Sequence, residues 1–172
     1  DKLIVICDDA YFGLTYEDNC FKESLFTLLA DAHERILDVK IDGASKEDFA
    51  WGIRVGFLTF GNPAITEDVA TILEDKAAGV LRASVSNVTH IGQSLMLNAY
   101  LSSSYSAEKR QKYELLESRY RAAKQYFEIH DVSDIGWPLP FNAGYFFSFE
   151  LNRNIDAEEI RTTLLREKST GV

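Results

Sequence analysis

Residues 42 to 60 read Asp42-Gly43-Ala44-Ser45-Lys46-Glu47-Asp48-Phe49-Ala50-Trp51-Gly52-Ile53-Arg54-Val55-Gly56-Phe57-Leu58-Thr59-Phe60. A β-like run, Ile36 to Ile41, leads into Lys46. Eight residues after the lysine, Arg54 stands near the start of a further β-like run, Ile53 to Phe60. In that run Ile53, Val55 and Phe57 fall on one face, with Arg54 and Gly56 on the other. Both cations thus sit at strand ends, where a sheet can aim them at one ligand. The competing reading is a solvated loop with two ordinary surface cations, and the rest of the chain bears on the choice.

Upstream, Leu3 to Cys7 is an unbroken apolar run of the kind buried on both faces in a parallel sheet. It ends in Asp8-Asp9-Ala10-Tyr11-Phe12-Gly13, polar groups at the carboxyl edge of a strand, where α/β proteins bind ligands. Phe21, Leu25, Leu28, Leu29 and Ala32 recur at helical spacing. Downstream, Gly61-Asn62-Pro63 breaks the chain, and Thr66 opens a helix whose first turn holds Glu67 and Asp68, favourable at the positive end of the helix dipole. The segment from Arg82 to Asn87 separates it from a helical pattern around Leu95, Leu97 and Tyr100. Residues 102 to 106 form a polar hinge. Tyr113, Leu116, Tyr120, Ala123 and Phe127 then mark one long amphipathic helix whose charged side reads as a solvated face.

Gly136-Trp137-Pro138-Leu139-Pro140 reads as a second break. Tyr145 to Leu151 alternates as a half-buried antiparallel strand, and Asp156 with Glu159 starts a last helix in the manner of a capping box. This order predicts an α/β part over residues 1–105, a long connecting helix over 106–130 and the start of an α+β lobe over 131–172.

The totals exclude several classes. With 172 residues and 46% hydrophobic content the chain can bury one sizeable core. A net charge of -9 argues against a nucleic-acid partner, which needs a basic face. No apolar run approaches a membrane span and no signal peptide is visible, so a cytoplasmic protein without membrane partners is expected. Cys7 and Cys20 lack metal-ligand spacing and read as reduced structural thiols. No pair of histidines has such spacing either, and no metal site is expected. His33 and His130 read as surface residues, and His90 as a residue near a subunit interface. The abrupt ends suggest a piece of a longer protein.

Asp8, Tyr11, Lys46 and Arg54 together offer a carboxylate, a phenol, an amine and a guanidinium. Pyridoxal phosphate uses each of them. Its aldehyde forms a Schiff base with a lysine amine. A buried carboxylate keeps its ring nitrogen protonated. A tyrosine donates to its ring oxygen, and an arginine pairs with its phosphate.

These residues also carry a family resemblance. Asp8-Asp-Ala-Tyr11-Phe-Gly13 resembles the Asp-x-x-Tyr-x-Gly motif of class I/II aminotransferases, fold-type I pyridoxal-phosphate enzymes similar to aspartate aminotransferase. Ser45-Lys46 followed by Gly52-Ile-Arg54-Val-Gly56 resembles their Schiff-base lysine and phosphate-binding arginine. Arg82-x-x-x-Ser86-Asn87 is similar to the segment lining the neighbouring subunit's active site, and Asn142-Ala-Gly-Tyr-Phe146 to the first strand of the small domain. Nearly the whole chain is covered in the family's order.

The resemblance implies a partial large domain, a three-layer α/β/α arrangement on a mostly parallel sheet, followed by the start of an α+β small domain. Residues 1–105 would be the later part of the cofactor-binding large domain, and 131–172 the start of the small one. It implies roles as well. Lys46 forms the Schiff base and then serves as general base. Asp8 pairs with the ring nitrogen, Tyr11 with the ring oxygen and Arg54 with the phosphate. On the bland readings, Asp8 caps a turn while Asp9 makes the real contact, and Tyr11 is core packing.

Ser45 either helps hold phosphate or turns the loop, since the family's phosphate-binding serine lies three residues before the lysine, where this chain has Gly43. Arg82 either meets an acidic substrate side chain across a dimer or is a helix-end cation. Ser86 and Asn87 either reach the partner's phosphate or cap a helix. The implied activity is amino-group transfer between an amino acid and a 2-oxo acid by a homodimer. Elimination or decarboxylation on the same cofactor, or an aminotransferase-like body within a transcriptional regulator, are the alternatives. The family's phosphate loop, ring-stacking aromatic residue and carboxylate-binding arginine have no counterpart in these residues, so the piece alone is expected to be inactive.

Overall fold

The computed structural model describes residues 1–171. The chain divides into two compact units, Asp1–Glu114 and the part from Leu115 onward.

In the first unit, three strands form one sheet in the order β1 (Leu3–Asp8), β2 (Ile36–Gly43), β3 (Gly56–Gly61). β1 and β2 are parallel, with Leu3 opposite Ile36 and Asp8 opposite Ile41. β2 and β3 are antiparallel, with Asp38 opposite Gly61 and Gly43 opposite Gly56. The ends of β1 and β2 and the start of β3 therefore share one edge. Two single-turn helices lie between the strands, α1 (Phe26–Leu29) and α2 (Ala44–Glu47). After β3 come α3 (Glu67–Ser84), α4 (His90–Leu101) and α5 (Tyr105–Ile129), the last continuing into the second unit. The α/β class is the one expected.

The local chemistry explains these elements. Thr66 and Thr89 cap α3 and α4, their hydroxyls accepting from the backbone N–H of Val69 and Gly92. Glu67 and Asp68 occupy the first turn of α3, and Arg82 its last, each favourable for the helix dipole. Met96 of α4 is buried with Ala44 and Val55, and Ala50 and Ile53 pack around them. This small core lies against the 44–55 segment and fixes its path. Leu14, Tyr16 and Cys7 are buried as well, so the loop after β1 is anchored rather than loose.

Three expectations for this unit need correction. The third strand starts at Gly56, not Ile53, because Arg54 has a left-handed φ of 59° that no strand accommodates. The lysine does not end the second strand; β2 stops at Gly43 and Lys46 lies on α2. The helical spacing from Phe21 to Ala32 yields only the single turn of α1. Ser24 Oγ accepts from the Phe26 N–H at 3.1 Å, which starts the turn there, and Phe21, Leu25 and Leu28 stay exposed. Apolar periodicity without a surface to bury against does not extend a helix.

In the second unit, β4 (Gly136–Pro138) and β5 (Phe149–Leu151) pair antiparallel, followed by α6 (Ala157–Lys168). Asp156 caps α6, its Oδ1 accepting from Glu158 N at 2.8 Å and Glu159 N at 3.2 Å. Phe127 packs edge-on against Phe147 and stacks with Phe149, and Tyr120 meets Phe141 edge-on. The expected break at 136–140 is therefore partly a strand: proline is tolerated at the end of a two-stranded ribbon. The alternation from Tyr145 forms ladder only over its last three residues.

Candidate active site

The loop after β1 is built by its own polar groups. Asp8, the last residue of the strand, accepts from the Ala10 N–H at 3.2 Å, turning the chain. Gly13 takes a φ of 76°, and the buried Leu14 and Tyr16 follow. Tyr113 donates to the Thr15 carbonyl at 2.8 Å. Asp9 is engaged differently: its carboxylate accepts from Ser24 Oγ and lies 3.9 Å from Lys40 Nζ. Lys40 also pairs with Asp42; burial alone would pull its pKa down, but Asp42 and Asp9 outweigh this and raise it. Asp9 thus holds the loop down, while Asp8 stands at the open edge of the sheet.

Lys46 sits across that edge, half-buried on α2, its Nζ 5.7 Å from the centre of the Tyr11 ring. Arg54 is exposed. Its Nη1 donates to Ser45 Oγ at 3.1 Å and to the Trp51 carbonyl at 3.0 Å. Of the predicted residues, the structure thus brings Lys46 to Tyr11 and Arg54 to Ser45, with Asp8 ending the neighbouring strand. The glycine at position 43 has a steric reason. A Cβ there would lie 2.9 Å from the Val55 carbonyl oxygen, so the tight pairing of Gly43 with Gly56 excludes a serine.

Arg82, Ser86 and Asn87 form a separate exposed group at the end of α3. Arg82 Nη1 donates to Ser86 Oγ at 2.7 Å, Ser86 has a φ of 68°, and Asn87 Oδ1 accepts from the Val88 N–H at 3.0 Å. These bonds all lie within the turn between α3 and α4.

Sequence reasoning missed a second cluster, just behind Lys46. Asp48 Oδ2 accepts from Tyr100 Oη at 2.7 Å, and Oδ1 accepts from Tyr105 Oη and, at 3.1 Å, from Lys109 Nζ. Lys109 also reaches Glu47 Oε1 at 2.9 Å. The Asp48 side chain is 5% exposed and that of Lys109 32%. Burial opposes the charge on Lys109, but the two carboxylates prevail and raise its pKa. Burial and the bond to Asp48 raise the Tyr100 phenol too. The sequence places Lys109 in a solvated charge run; its partners lie 61 and 62 residues away, so no local pattern announces them.

Among the described residues no group of His, Cys, Asp and Glu fits a metal ion, and no helix is long and apolar enough to cross a membrane.

The family model for aminotransferase class I and II matches residues 1–171. No curated protein matches the chain. One similar solved structure is MJ0684 from Methanococcus jannaschii, described as similar in its active site to kynurenine aminotransferases. It is 24% identical with a TM-score of 0.65, the match covering 98% of this chain and 40% of that one. Another is LysN, an α-aminoadipate aminotransferase from Thermus thermophilus, solved with N-(5'-phosphopyridoxyl)-L-leucine. It is 19% identical with a TM-score of 0.68, covering 95% and 39%. The chain thus spans about two-fifths of the length of either structure. A family match running from the first strand to the last helix leaves one conclusion: the chain belongs to the class I and II aminotransferases.

Proposed function

We propose that this chain carries the cofactor-binding lysine of a pyridoxal-phosphate-dependent aminotransferase, which passes an amino group between an amino acid and a 2-oxo acid. The observation that carries the reading is the shared sheet edge, with Lys46 Nζ 5.7 Å from the Tyr11 ring and Arg54 bonded to Ser45 at 3.1 Å. The donor set fits the group: an amine for an aldehyde, a phenol for a ring oxygen, a guanidinium with a hydroxyl for a phosphate, and a carboxylate for a ring nitrogen. Bound pyridoxal phosphate supplies an aldehyde that captures amines and a ring that withdraws electrons from the substrate.

In this reading Lys46 supplies the amine and then moves a proton at the substrate α-carbon. Asp8 holds a proton at the ring nitrogen, and Tyr11 donates to the ring oxygen. Arg54 and Ser45 anchor the phosphate, so the reacting atoms start near their final geometry. The exposed turn of Arg82, Ser86 and Asn87 meets a second subunit. Residues up to about 105 belong to a large domain and those from about 131 to a small one. Transamination is proposed for the protein of which these residues form part.

The test incubates the chain with pyridoxal phosphate, reduces with borohydride and maps the modified lysines by mass spectrometry. Modification concentrates on Lys46, and Lys46→Ala removes that site together with the associated near-ultraviolet or visible absorbance. Arg54→Gln weakens labelling by pyridoxal phosphate about 10-fold or more, the worth of a charge-assisted hydrogen bond, but changes labelling by phosphate-free pyridoxal little. Labelling spread evenly over the lysines would overturn the assignment.

A further inference from the structure

Asp48 ties together three elements that are distant in sequence. It follows α2 directly, two residues after Lys46, and its backbone N–H donates to the Ala44 carbonyl at 3.2 Å. Its two carboxylate oxygens take a phenol from the last turn of α4 and a phenol from the first residue of α5. The rings of Tyr100 and Tyr105 meet edge-on at 5.3 Å. Lys109, one turn further along α5, binds Asp48 and Glu47 together. The side chain of Asp48 is nearly inaccessible at 5%.

This arrangement grips the chain immediately after the turn that carries Lys46. A four-residue helix has little stability of its own. At its start, Ala44 is held by Met96 and Val55. After it, Phe49 adopts a φ of 59°, a conformation that is retained only where the surroundings enforce it. The two residues that follow Lys46, Glu47 and Asp48, are both engaged by α4 and α5. The Lys46 amine itself lies over the Tyr11 ring.

We propose that Asp48, with Tyr100, Tyr105 and Lys109, is a positioning clamp that sets the angle of the lysine-bearing turn and so the aim of Lys46. None of the four touches the reacting atoms; they act through α2. This rests on the reading that Lys46 holds the cofactor.

The experiment compares the chain with Tyr100→Phe/Tyr105→Phe, Asp48→Asn, Lys109→Gln and Lys109→Arg variants. Each is treated with pyridoxal phosphate and borohydride, and the modification of Lys46 is divided by that of Lys112, an exposed lysine on the same helix as the clamp. Circular dichroism and thermal unfolding are recorded in parallel. The clamp predicts that this ratio falls about 10-fold in the first three variants, the scale on which small misplacements act, and recovers most of its value in Lys109→Arg. A purely structural role would lower the melting temperature while leaving the ratio in the folded protein unchanged, which overturns the clamp. If the unsubstituted chain shows no preference for Lys46 over Lys112, the cofactor assignment itself falls. If Asp48→Asn fails to fold, the double phenylalanine variant decides, since it removes two hydroxyls and keeps both aromatic rings.

Discussion

At the scale of single residues, adjacent side chains of the same type have been given different work. Asp8 and Asp9 are chemically alike, yet Asp9 is occupied by Ser24 and Lys40 while Asp8 ends the strand at the open edge. Cys7, one position earlier, faces the other way. Its thiol is 6% exposed and donates to Asp38 Oδ1 at 3.3 Å. Burial first, then the bond and charge of Asp38, push its pKa from 9.0 to about 11. The sign of the pH effect follows. Below pH 9.0 the folded and unfolded thiols both keep their proton; from there to about pH 11 only the folded one does. The contribution of Cys7 to stability is thus complete below the window and lost as pH rises through it. Comparing denaturation midpoints at the two ends of the window checks this: Cys7→Ala should lose less stability across it than the unsubstituted chain. A thiolate is also the reactive form, so iodoacetamide should label the half-buried Cys20 in the folded chain well before Cys7. Lys46, Arg54 and Asp8 could be nominated as candidates because each stands at a fixed spacing within a short stretch. The Asp48 cluster was not, because its partners lie 52, 57 and 61 residues away and each looks ordinary in its own neighbourhood.

At the scale of elements, signals carried by a few adjacent residues came through and signals requiring a partner surface did not. The caps at Thr66 and Asp156 could be read because the side chain and the N–H it binds are three residues apart at most. The start of β3 could not, since nothing in Gly52-Ile53-Arg54 announces that the arginine turns left-handed. Two helical glycines show the same division. Gly79 lies in α3 and Gly92 in α4, and helix propensity treats them alike. A Cβ at Gly79 would meet nothing within 4 Å, so Gly79→Ala should stabilise by up to about 1 kcal/mol. A Cβ at Gly92 would lie 2.5 Å from the Ile53 carbonyl oxygen and 2.6 Å from Thr89 Cγ2. There the helix must retreat from the turn that leads into Arg54, and Gly92→Ala should destabilise by about 1–3 kcal/mol, the usual cost of overpacking. Urea titration of both variants tests this. Equal effects of the same sign would mean that α4 does not rest on Ile53 as closely as described.

At the scale of the whole molecule, the surface carries two opposing tendencies. The net charge of -9 favours separate, soluble chains. Yet β1 pairs only with β2 among the described residues, and it exposes Leu3 at 56%, Ile4 at 64% and Ile6 at 64%. An edge strand with open backbone groups and apolar side chains is a template for pairing with another chain. The chain is therefore expected to self-associate as its concentration rises, visible as a concentration-dependent sedimentation coefficient. Replacing Ile4 and Ile6 by lysine distinguishes the two tendencies. The substitutions make the molecule less negative, so if charge repulsion governed association they would increase it. If the open edge governs, lysine on the strand blocks pairing despite the reduced net charge, and the sedimentation coefficient becomes independent of concentration. The same pair of substitutions leaves the Lys46 edge untouched, since Ile4 and Ile6 register with Leu37 and Val39, well before Gly43. Preferential modification of Lys46 should accordingly persist in the monomeric variant. Its loss there would place the dependence of the site on association between chains rather than on the three strand ends of one.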